Sequence, residues 1–259
     1  MMISIIIPTY GRPDNLKGLL KKLTKQTFKD FEVIIVDSNE IDYGYQDNDH
    51  FYPIRVEKLL NCGCNLARNR GIELAEASII AFTDDDCIPD DNWLESSLKY
   101  FEDTNVVGIE GLIYSERKGD PTHRTPQILK RKGIVHGRTA NMFYKKEILE
   151  KVSGFDERFE VKISRGRLGY RGDTDIAWRV EKYGAIPFAD DVRVFHPVDK
   201  TTLKKELKNS RAFIFTSLLL KKHPDRFKDI MKLTLIPFTP SVPLKIIWMF
   251  IGSLKLVKI

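Results

Sequence analysis

The first hundred residues alternate between β-branched runs and segments with helical spacing. Ile3–Ile7 is a short apolar run with the composition of a buried strand, and the leucines from Leu16 to Leu23 then recur every three or four residues, on one helical face. Two more strand-like runs follow, FEVIIVD and SIIAFTD. Because this alternation is typical of a central, mostly parallel sheet flanked by helices, the sequence predicts an α/β fold.

Acidic residues mark the ends of two of these strands. FEVIIVD ends at Asp37, and SIIAFTD ends at Asp84, which opens a run of five aspartates within eight residues. Open α/β sheets bind their ligands at the carboxyl ends of the strands. Carboxylates crowded at the end of a buried strand need a cation nearby, and Mg²⁺ or Mn²⁺ with a diphosphate would balance them. We therefore predict a nucleotide-binding half over residues 1–110.

Two other interpretations of the aspartate run stay open. A calcium loop starting at Asp84 would place Ile88 and Pro89 where such a loop needs an oxygen ligand and a glycine, which argues against it. A solvated turn would also be rich in aspartate. The position after a buried strand favours the metal site over both.

Composition and charge narrow the class of protein. The chain has 259 residues, 42% of them hydrophobic, which suffices for one large or two small globular domains. A net charge of +6 favours anionic partners, but no nucleic-acid-binding motif accompanies it, so nucleic acid is not a predicted partner. The three cysteines lack C-x-x-C spacing and no basic leader precedes Ile3, which together predict a reduced, cytoplasmic protein.

Beyond Gly111 the alternation of strand-like and helical segments becomes less regular. The polar, basic segment 115–133 is predicted to be a mobile excursion, and the core resumes at RTANMFYKKEILEKV. A helix is predicted after YRGDTD, because Ile176 and Val180 share one helical face and acidic residues favour a first turn. Another helix is predicted over Leu203–Leu220.

The C-terminal segment has a different composition. Leu233–Leu254 holds 22 residues with Lys245 as its only charge, but it also contains three prolines. Since interior prolines break helices, residues 233–259 are predicted to contact a membrane surface peripherally rather than to span it. Packing of this segment on the domain is the alternative. A membrane contact would place the protein at the cytoplasmic face.

A series of motifs resembles the family 2 glycosyltransferases, which have the GT-A fold. Between Ile3 and Pro197 the chain reads IIIPTYGR, VIIVDSNE, LARNRGI, FTDDDCIPDDNWL, VSGFDERF and GDTDIAWRVEKYG, in the order of that family. The resemblance implies a Rossmann-like nucleotide-diphospho-sugar transferase domain over residues 1–200, with its acceptor-binding half over 111–200. A helical extension with the apolar tail would occupy 201–259.

The resemblance also implies which residues bind the donor. The nucleotide-binding positions are Pro8, Thr9, Tyr10, Arg12, Asp37, Arg68, Asp84 and Asp85. Asp37 would contact the base or ribose and Asp84 the ribose, whereas Asp85 is the member expected to point away as a spacer. In the helix of LARNRGI, Asn69 is expected to be structural and Gly71 to allow close packing.

Catalytic and metal-binding roles are implied by the same resemblance. The catalytic base would be Asp173 or Asp175, and both stay candidates because Gly172 stands where the family usually has a glutamate. Asp86 would bind the metal directly, and His196 matches a histidine that completes the metal site in some relatives, with a structural histidine as the alternative. The basic loop ISRGRLGYRGD would close over the diphosphate or grip a phosphorylated acceptor, unless it is simply solvated.

Together these motifs imply a metal-dependent, inverting glycosyltransferase. It would use Mn²⁺ or Mg²⁺, a nucleotide-sugar donor with uridine as the expected nucleoside, and a glycan or lipid-linked acceptor. A sugar-nucleotide pyrophosphorylase is one alternative, but it usually has a glycine-rich phosphate loop that PTYGRPDN lacks. A non-catalytic nucleotide or glycan binder is another, because the glutamate before Asp173 is missing.

Overall fold

The computed structural model describes residues 2–42, 44, 50–115, 137–163, 166–197, 210–235, 247 and 249. The strands are β1 Ile3–Thr9, β2 Phe31–Asp37, β3 Ile54–Lys58, β4 Ile79–Phe82, β5 Ile88–Pro89, β6 Gly108–Tyr114, β7 Met142–Lys145, β8 Glu160–Ile163, β9 Gly166–Gly169 and β10 Phe188–Phe195. The α-helices are α1 Pro13–Leu23, α2 Cys64–Leu74, α3 Trp93–Leu98, α4 Lys146–Lys151, α5 Gly172–Val180, α6 Ile214–Lys222 and α7 Phe227–Leu235. Nearly all of the predicted excursion and of the predicted tail lies outside the described residues.

An eight-stranded sheet forms the centre, in the order β3-β2-β1-β4-β7-β6-β10-β5. The strands β3, β2, β1 and β4 run parallel to one another, and β6 is parallel to β10. Only β7 and the short β5 run antiparallel to the strands they pair with in this sheet. The predicted α/β fold with a mostly parallel sheet is confirmed.

Helices cover both faces because β1, β2 and β4 are buried on both sides. On β1, Ile5 packs in the same core cluster as Leu16 of α1. Its neighbour Ile6 points to the other face, in the cluster that holds Ile72 of α2 and Ile176 of α5. Helices therefore pack on both faces of the sheet, and the polar residues lie at the carboxyl ends of its strands.

A close contact between α2 and β1 explains why residue 71 is a glycine. A β-carbon at Gly71 in α2 would lie 2.4 Å from Cγ2 of Ile6 in β1, closer than a side chain can approach. The expectation that Gly71 allows close packing therefore agrees with the contact. Arg68, about one turn earlier on the same helix, is carried to the edge of the sheet.

The predicted helices of the second half are found in part. The helix after YRGDTD is α5, which begins at Gly172. Of the helix predicted over Leu203–Leu220, the first residues lie outside the described part of the chain, and from Ser210 a 3₁₀ turn leads into α6. Among the helices that the structure describes, none combines the length and apolarity needed to cross a membrane.

Candidate active site

A cavity of about 680 Å³ lies at the carboxyl ends of the parallel strands. Its walls are the loop after β1, the start of α2, the β8–β9 hairpin and the start of α5. The residues of the sequence prediction that line it are Pro8, Thr9, Tyr10, Arg12, Arg68, Asp84 and Asp173. The fold thus gathers residues from both halves of the chain around one space.

Asp37 lies behind the wall of this cavity. The parallel register sets it beside Thr9 at the ends of β2 and β1. Its carboxylate is fully buried and accepts hydrogen bonds from Nζ of Lys58 at 2.7 Å and from the backbone N–H of Asn39 at 2.9 Å. The next residue, Ser38, is the one that lines the cavity. A contact of Asp37 with a base or ribose stays a prediction.

Tyr10 and Arg68 offer two different kinds of contact to a nucleotide. Tyr10 is 66% exposed at the cavity, and an exposed ring can stack on a base. Arg68 is buried, with Nη2 3.1 Å from Oδ1 of Asp84 and its guanidinium 5.6 Å from the ring centroid of Phe155. A guanidinium held in this way can bind a phosphate through its planar fork.

Four side chains form a group that could hold a cation. The ligand atoms of Asp84, Asp86, Cys87 and His196 lie within 4.8 Å of one another. Asp86 Oδ1 is buried without a hydrogen-bond partner among the described residues, and it lies 3.6 Å from Nε2 of His196. Carboxylates suit Mn²⁺ or Mg²⁺, whereas an imidazole is a ligand of transition metals. Burial raises the pKa of Cys87 well above its ordinary value.

Arg12 lines the cavity with its guanidinium paired to the aspartate run. Nη2 lies 2.6 Å from Oδ1 of Asp85, and Nη1 lies 2.6 Å from Oδ2 of Asp86. Asp85 is fully buried and also accepts a hydrogen bond from Thr9 Oγ1 at 2.7 Å. Burial raises the pKa of Asp85 to about 6, against the lowering effects of Thr9 and Arg12. Asp85 lies outside the four-residue group, as expected for the aspartate that points away, and it joins the loop after β1 to the loop after β4.

Asp173 is the second residue of α5 and lines the cavity. Its carboxylate accepts a hydrogen bond from the N–H of Thr174 at 2.8 Å. Burial raises the pKa of Asp173 above its ordinary value, although that hydrogen bond and the charges of Arg68 and Arg171 act in the opposite direction. A carboxylate of raised basicity that faces a cavity has the properties of a general base.

Asp175 is not among the side chains that line the cavity. It is fully buried and ion-paired to Arg179 at 2.8 Å, to Lys222 at 2.8 Å and to Nε2 of His223 at 3.0 Å. These contacts hold the end of α6 against α5. Of the two candidate bases, the structure therefore brings Asp173 to the cavity. His223 was not predicted, because it lies 48 residues beyond Asp175 and no local pattern links the two residues.

The β8–β9 hairpin supplies the cavity residues Glu160 and Lys162, which no sequence pattern indicated, and Gly169, which belongs to the predicted basic loop. The carboxylate of Glu160 accepts the backbone N–H groups of Cys64 and Asn65, at 2.9 and 3.0 Å, and so ties the hairpin to the start of α2. A β-carbon at Gly172 would lie 2.5 Å from Nδ2 of Asn65. The glycine before Asp173 therefore has a steric reason, since Asn65 fills the space that a glutamate would need.

Comparison with known proteins identifies relatives of this chain. Residues 4–160 match the family model described as Glycosyl transferase family 2. Glycosyltransferase AglE of Haloferax volcanii is 26% identical over 263 residues, which cover 93% of this chain and 82% of that protein. The GalNAc(5)-diNAcBac-PP-undecaprenol beta-1,3-glucosyltransferase of Campylobacter jejuni is 26% identical over 176 residues, which cover 61% of this chain and 55% of that protein.

Two solved structures have a similar fold. S. aureus TarS 1-349 in complex with UDP-GlcNAc superposes with a TM-score of 0.63 at 16% identity, covering 96% of this chain and 79% of that one. The mannosyltransferase PcManGT of Pyrobaculum calidifontis, in complex with GDP-Man and Mn²⁺, superposes with a TM-score of 0.65 at 17% identity, covering 96% and 73%. The sheet and its flanking helices match the fold expected from the sequence motifs.

Proposed function

The chain belongs to glycosyl transferase family 2, and from this membership we propose that it transfers a sugar from a UDP-sugar to a glycan or lipid-linked acceptor, with inversion. One observation carries the proposal: a single cavity is lined by both Asp84 and Asp173. A donor beside Asp84 and an acceptor hydroxyl beside Asp173 would meet inside it. Family membership favours this transfer over the pyrophosphorylase alternative.

Asp173 is the proposed base. The acceptor oxygen attacks the anomeric carbon on the side opposite the diphosphate, and the hydroxyl proton passes to the carboxylate of Asp173. A bond forms between the acceptor oxygen and the anomeric carbon while the bond from that carbon to the diphosphate oxygen breaks, and the diphosphate leaves with the electron pair. Since burial raises the pKa of Asp173, its carboxylate is a stronger base than an exposed aspartate.

A divalent cation is the proposed cofactor. Asp84, Asp86 and His196 would hold Mn²⁺ or Mg²⁺, and the buried Oδ1 of Asp86, which finds no hydrogen-bond partner within the described chain, supports this assignment. When bound, the ion would neutralise negative charge on the departing diphosphate. The Mn²⁺ in the PcManGT complex is further support.

Uridine is the proposed nucleoside of the donor. TarS was solved with UDP and with UDP-GlcNAc, whereas PcManGT was solved with GDP-Man, so similar folds carry different bases. The proposal therefore rests on the TarS complexes and on the motif positions Thr9, Tyr10 and Asp37. Direct competition between UDP and GDP tests it, with tighter binding of UDP as the expected result.

A lipid-linked acceptor would fit a protein that works at a membrane surface. The Campylobacter jejuni relative is named for an undecaprenol-linked saccharide. Contact of residues 233–259 with the cytoplasmic face would bring the cavity close to such a lipid. This segment lies almost entirely outside the described residues, so its contact is proposed from composition alone.

The function is tested by nucleotide binding and by turnover with a panel of UDP- and GDP-sugars. We expect Mn²⁺ to strengthen UDP binding by roughly tenfold or more, and we expect Asp86→Ala to abolish that gain. Asp173→Asn is expected to retain UDP binding but to lower transfer by about 10²- to 10⁴-fold. The exposed Asp225→Ala is the matched control. If no sugar nucleotide is bound or turned over, or if Asp86→Ala binds UDP with Mn²⁺ as tightly as wild type, the proposal is wrong.

A further inference from the structure

Arg12 contacts two aspartates of the run with one guanidinium. Its Nε lies 3.2 Å from Oδ2 of Asp85 and its Nη2 lies 2.6 Å from Oδ1, so both oxygens of that carboxylate lie beside the guanidinium. Its Nη1 donates a hydrogen bond to Oδ2 of Asp86 at 2.6 Å. All three nitrogens of Arg12 are therefore engaged by carboxylates, although the motif resemblance implies that this residue binds the nucleotide.

Asp85 anchors the guanidinium of Arg12. This carboxylate is fully buried and also accepts the hydroxyl of Thr9 at 2.7 Å. A guanidinium that pairs with a carboxylate along one edge has a defined orientation, because both groups are planar. Since Thr9 and burial fix Asp85, they also fix the direction in which Nη1 of Arg12 points, which is toward Asp86.

The two oxygens of Asp86 have different surroundings. Oδ2 accepts the hydrogen bond from Arg12. Oδ1 is buried, has no hydrogen-bond partner among the described residues and lies 3.6 Å from Nε2 of His196. A cation that took both oxygens would have to share Oδ2 with a positively charged guanidinium, which electrostatic repulsion opposes. Asp86 is therefore arranged to offer a cation one oxygen, Oδ1.

The number of oxygens that a carboxylate offers favours one divalent ion over another. Mg²⁺ requires a compact octahedron, and the two oxygens of one carboxylate lie too close together to fill two of its corners. Ca²⁺ takes six to eight oxygens in a looser shell and readily binds both oxygens of a carboxylate. A site in which Asp86 offers only Oδ1 therefore suits Mg²⁺ better than Ca²⁺.

We propose that Arg12 sets the ion selectivity of the site, because it restricts Asp86 to one oxygen and so disfavours Ca²⁺. The proposal rests on the divalent cation proposed above as the cofactor. Arg12 is then a positioning residue, which acts on the ion through Asp86 and does not contact the ion itself. Its bond to Asp85 supplies the rigidity that this role needs.

The test measures ion binding by the full chain, with and without UDP. Free Mn²⁺ gives a sharp electron paramagnetic resonance signal that is lost on binding, so added Mg²⁺ or Ca²⁺ can be titrated by the Mn²⁺ that it displaces. Arg12→Gln should raise the affinity for Ca²⁺ relative to that for Mg²⁺ by roughly fivefold or more. Removal of a positive charge strengthens the binding of both ions alike, so the ratio of the two affinities reports the coordination and not the charge.

A second variant guards against a loss of folding, because Arg12→Gln leaves Asp85 buried without its cation. Arg12→Gln combined with Asp85→Asn removes that unpaired charge, and the carbonyl of the asparagine can still accept the hydroxyl of Thr9. The double variant should show the same rise in the ratio. Arg55→Gln, at an exposed arginine on the edge strand β3, is the matched control and should leave the ratio unchanged.

Two results would overturn the proposal. One is a ratio of Ca²⁺ to Mg²⁺ affinity that is unchanged or lower in both Arg12 variants; if metal-free UDP binding weakens in the same variants, Arg12 serves the donor instead. The other is an equal rise in the ratio in Arg55→Gln. A wild-type protein that binds no Mn²⁺, with or without UDP, would instead refute the proposed cofactor, and this inference would fall with it.

Discussion

At the scale of single residues, burial separates aspartates that the sequence presents alike. Asp85 and Asp175 are fully buried and pair with cations from other segments, whereas Asp84 and Asp86 stay partly exposed beside the cavity. Asp173 faces the cavity itself. Since desolvation and nearby charges set what a carboxylate can do, its surroundings decide its role more than its place in a motif.

Removal of the charge of Asp175 is expected to destabilise the fold. Burial opposes its ionisation, but the bond to His223 and the charges of Arg179 and Lys222 lower its pKa overall. Such a group stabilises the protein above the pKa of the unfolded chain, near 4, and loses this effect as pH falls through the folded pKa. Asp175→Asn should therefore cost about 3 kcal/mol at pH 7 and less in acid, measured by urea unfolding.

The exposed Asp225 provides the control for this measurement. Asp225→Asn should change the free energy of unfolding by less than about 0.5 kcal/mol at either pH. A small cost for Asp175→Asn, accompanied by a complete loss of transfer with intact UDP binding, would instead make Asp175 the base.

The rate of transfer is expected to fall in acid as Asp173 becomes protonated. Because burial raises the pKa of Asp173, this fall should be centred above pH 4, the ordinary value for aspartate. The charge of Arg138 lowers that pKa, so Arg138→Gln should move the fall to higher pH. Profiles of kcat/KM against pH measure the shift, and Arg55→Gln should leave the profile unchanged. A fall at the same pH in Arg138→Gln and wild type would contradict the assignment.

At the scale of elements, two glycines let helices approach their neighbours closely. Gly71 allows α2 to lie on β1, and Gly172 allows the start of α5 to lie against Asn65. The first contact was expected from the resemblance of LARNRGI to the helix of the family. The second was not, because Asn65 and Gly172 come from distant segments and no period relates them. Glu160 was not predicted for the same reason, because it lies 95 residues from Asn65 in the sequence, although its carboxylate accepts the N–H of Asn65.

A pair of glycine substitutions tests the packing of α2. In Gly71→Ala the new methyl group would collide with Ile6, so the free energy of unfolding should fall by about 1–3 kcal/mol. Gly18 on α1 is the matched control, because a β-carbon there would meet nothing within 4 Å. Gly18→Ala should stabilise the protein by up to about 1 kcal/mol, since alanine is the better helix former. Equal stability of the two variants in urea would contradict the contact.

At the scale of the whole molecule, the cavity depends on both halves of the chain. In the parallel half, β1, β2 and β4 were predictable from their apolar runs and α1 from its leucine spacing, whereas β3 was not predicted. The second half was less predictable from the sequence, because β7, β8 and β9 have only four residues each and show little periodicity. The sequence motifs nevertheless predicted that Asp84 and Asp173 would share one site, because they occur along this chain in the same order as in the family.

Membrane contact of residues 233–259 is tested by sedimentation with anionic vesicles. The full chain should pellet more than a chain that ends at Leu235, because the tail removed is apolar and includes three lysines, each worth about 1 kcal/mol near anionic lipid. Neutral phosphatidylcholine vesicles should pellet less of the full chain. Equal pelleting of the two chains would instead favour packing of the tail on the domain.

The ion pairs of Arg12 also bear on the order of events during synthesis. Arg12, Asp85 and Asp86 all belong to the first third of the chain, whereas His196 leaves the ribosome roughly 5 to 20 s later at ordinary elongation rates. During that interval Arg12 can already neutralise the acidic loop. The loops after β1 and β4 of the nascent chain can therefore come together before His196 has been synthesised and before a metal ion binds.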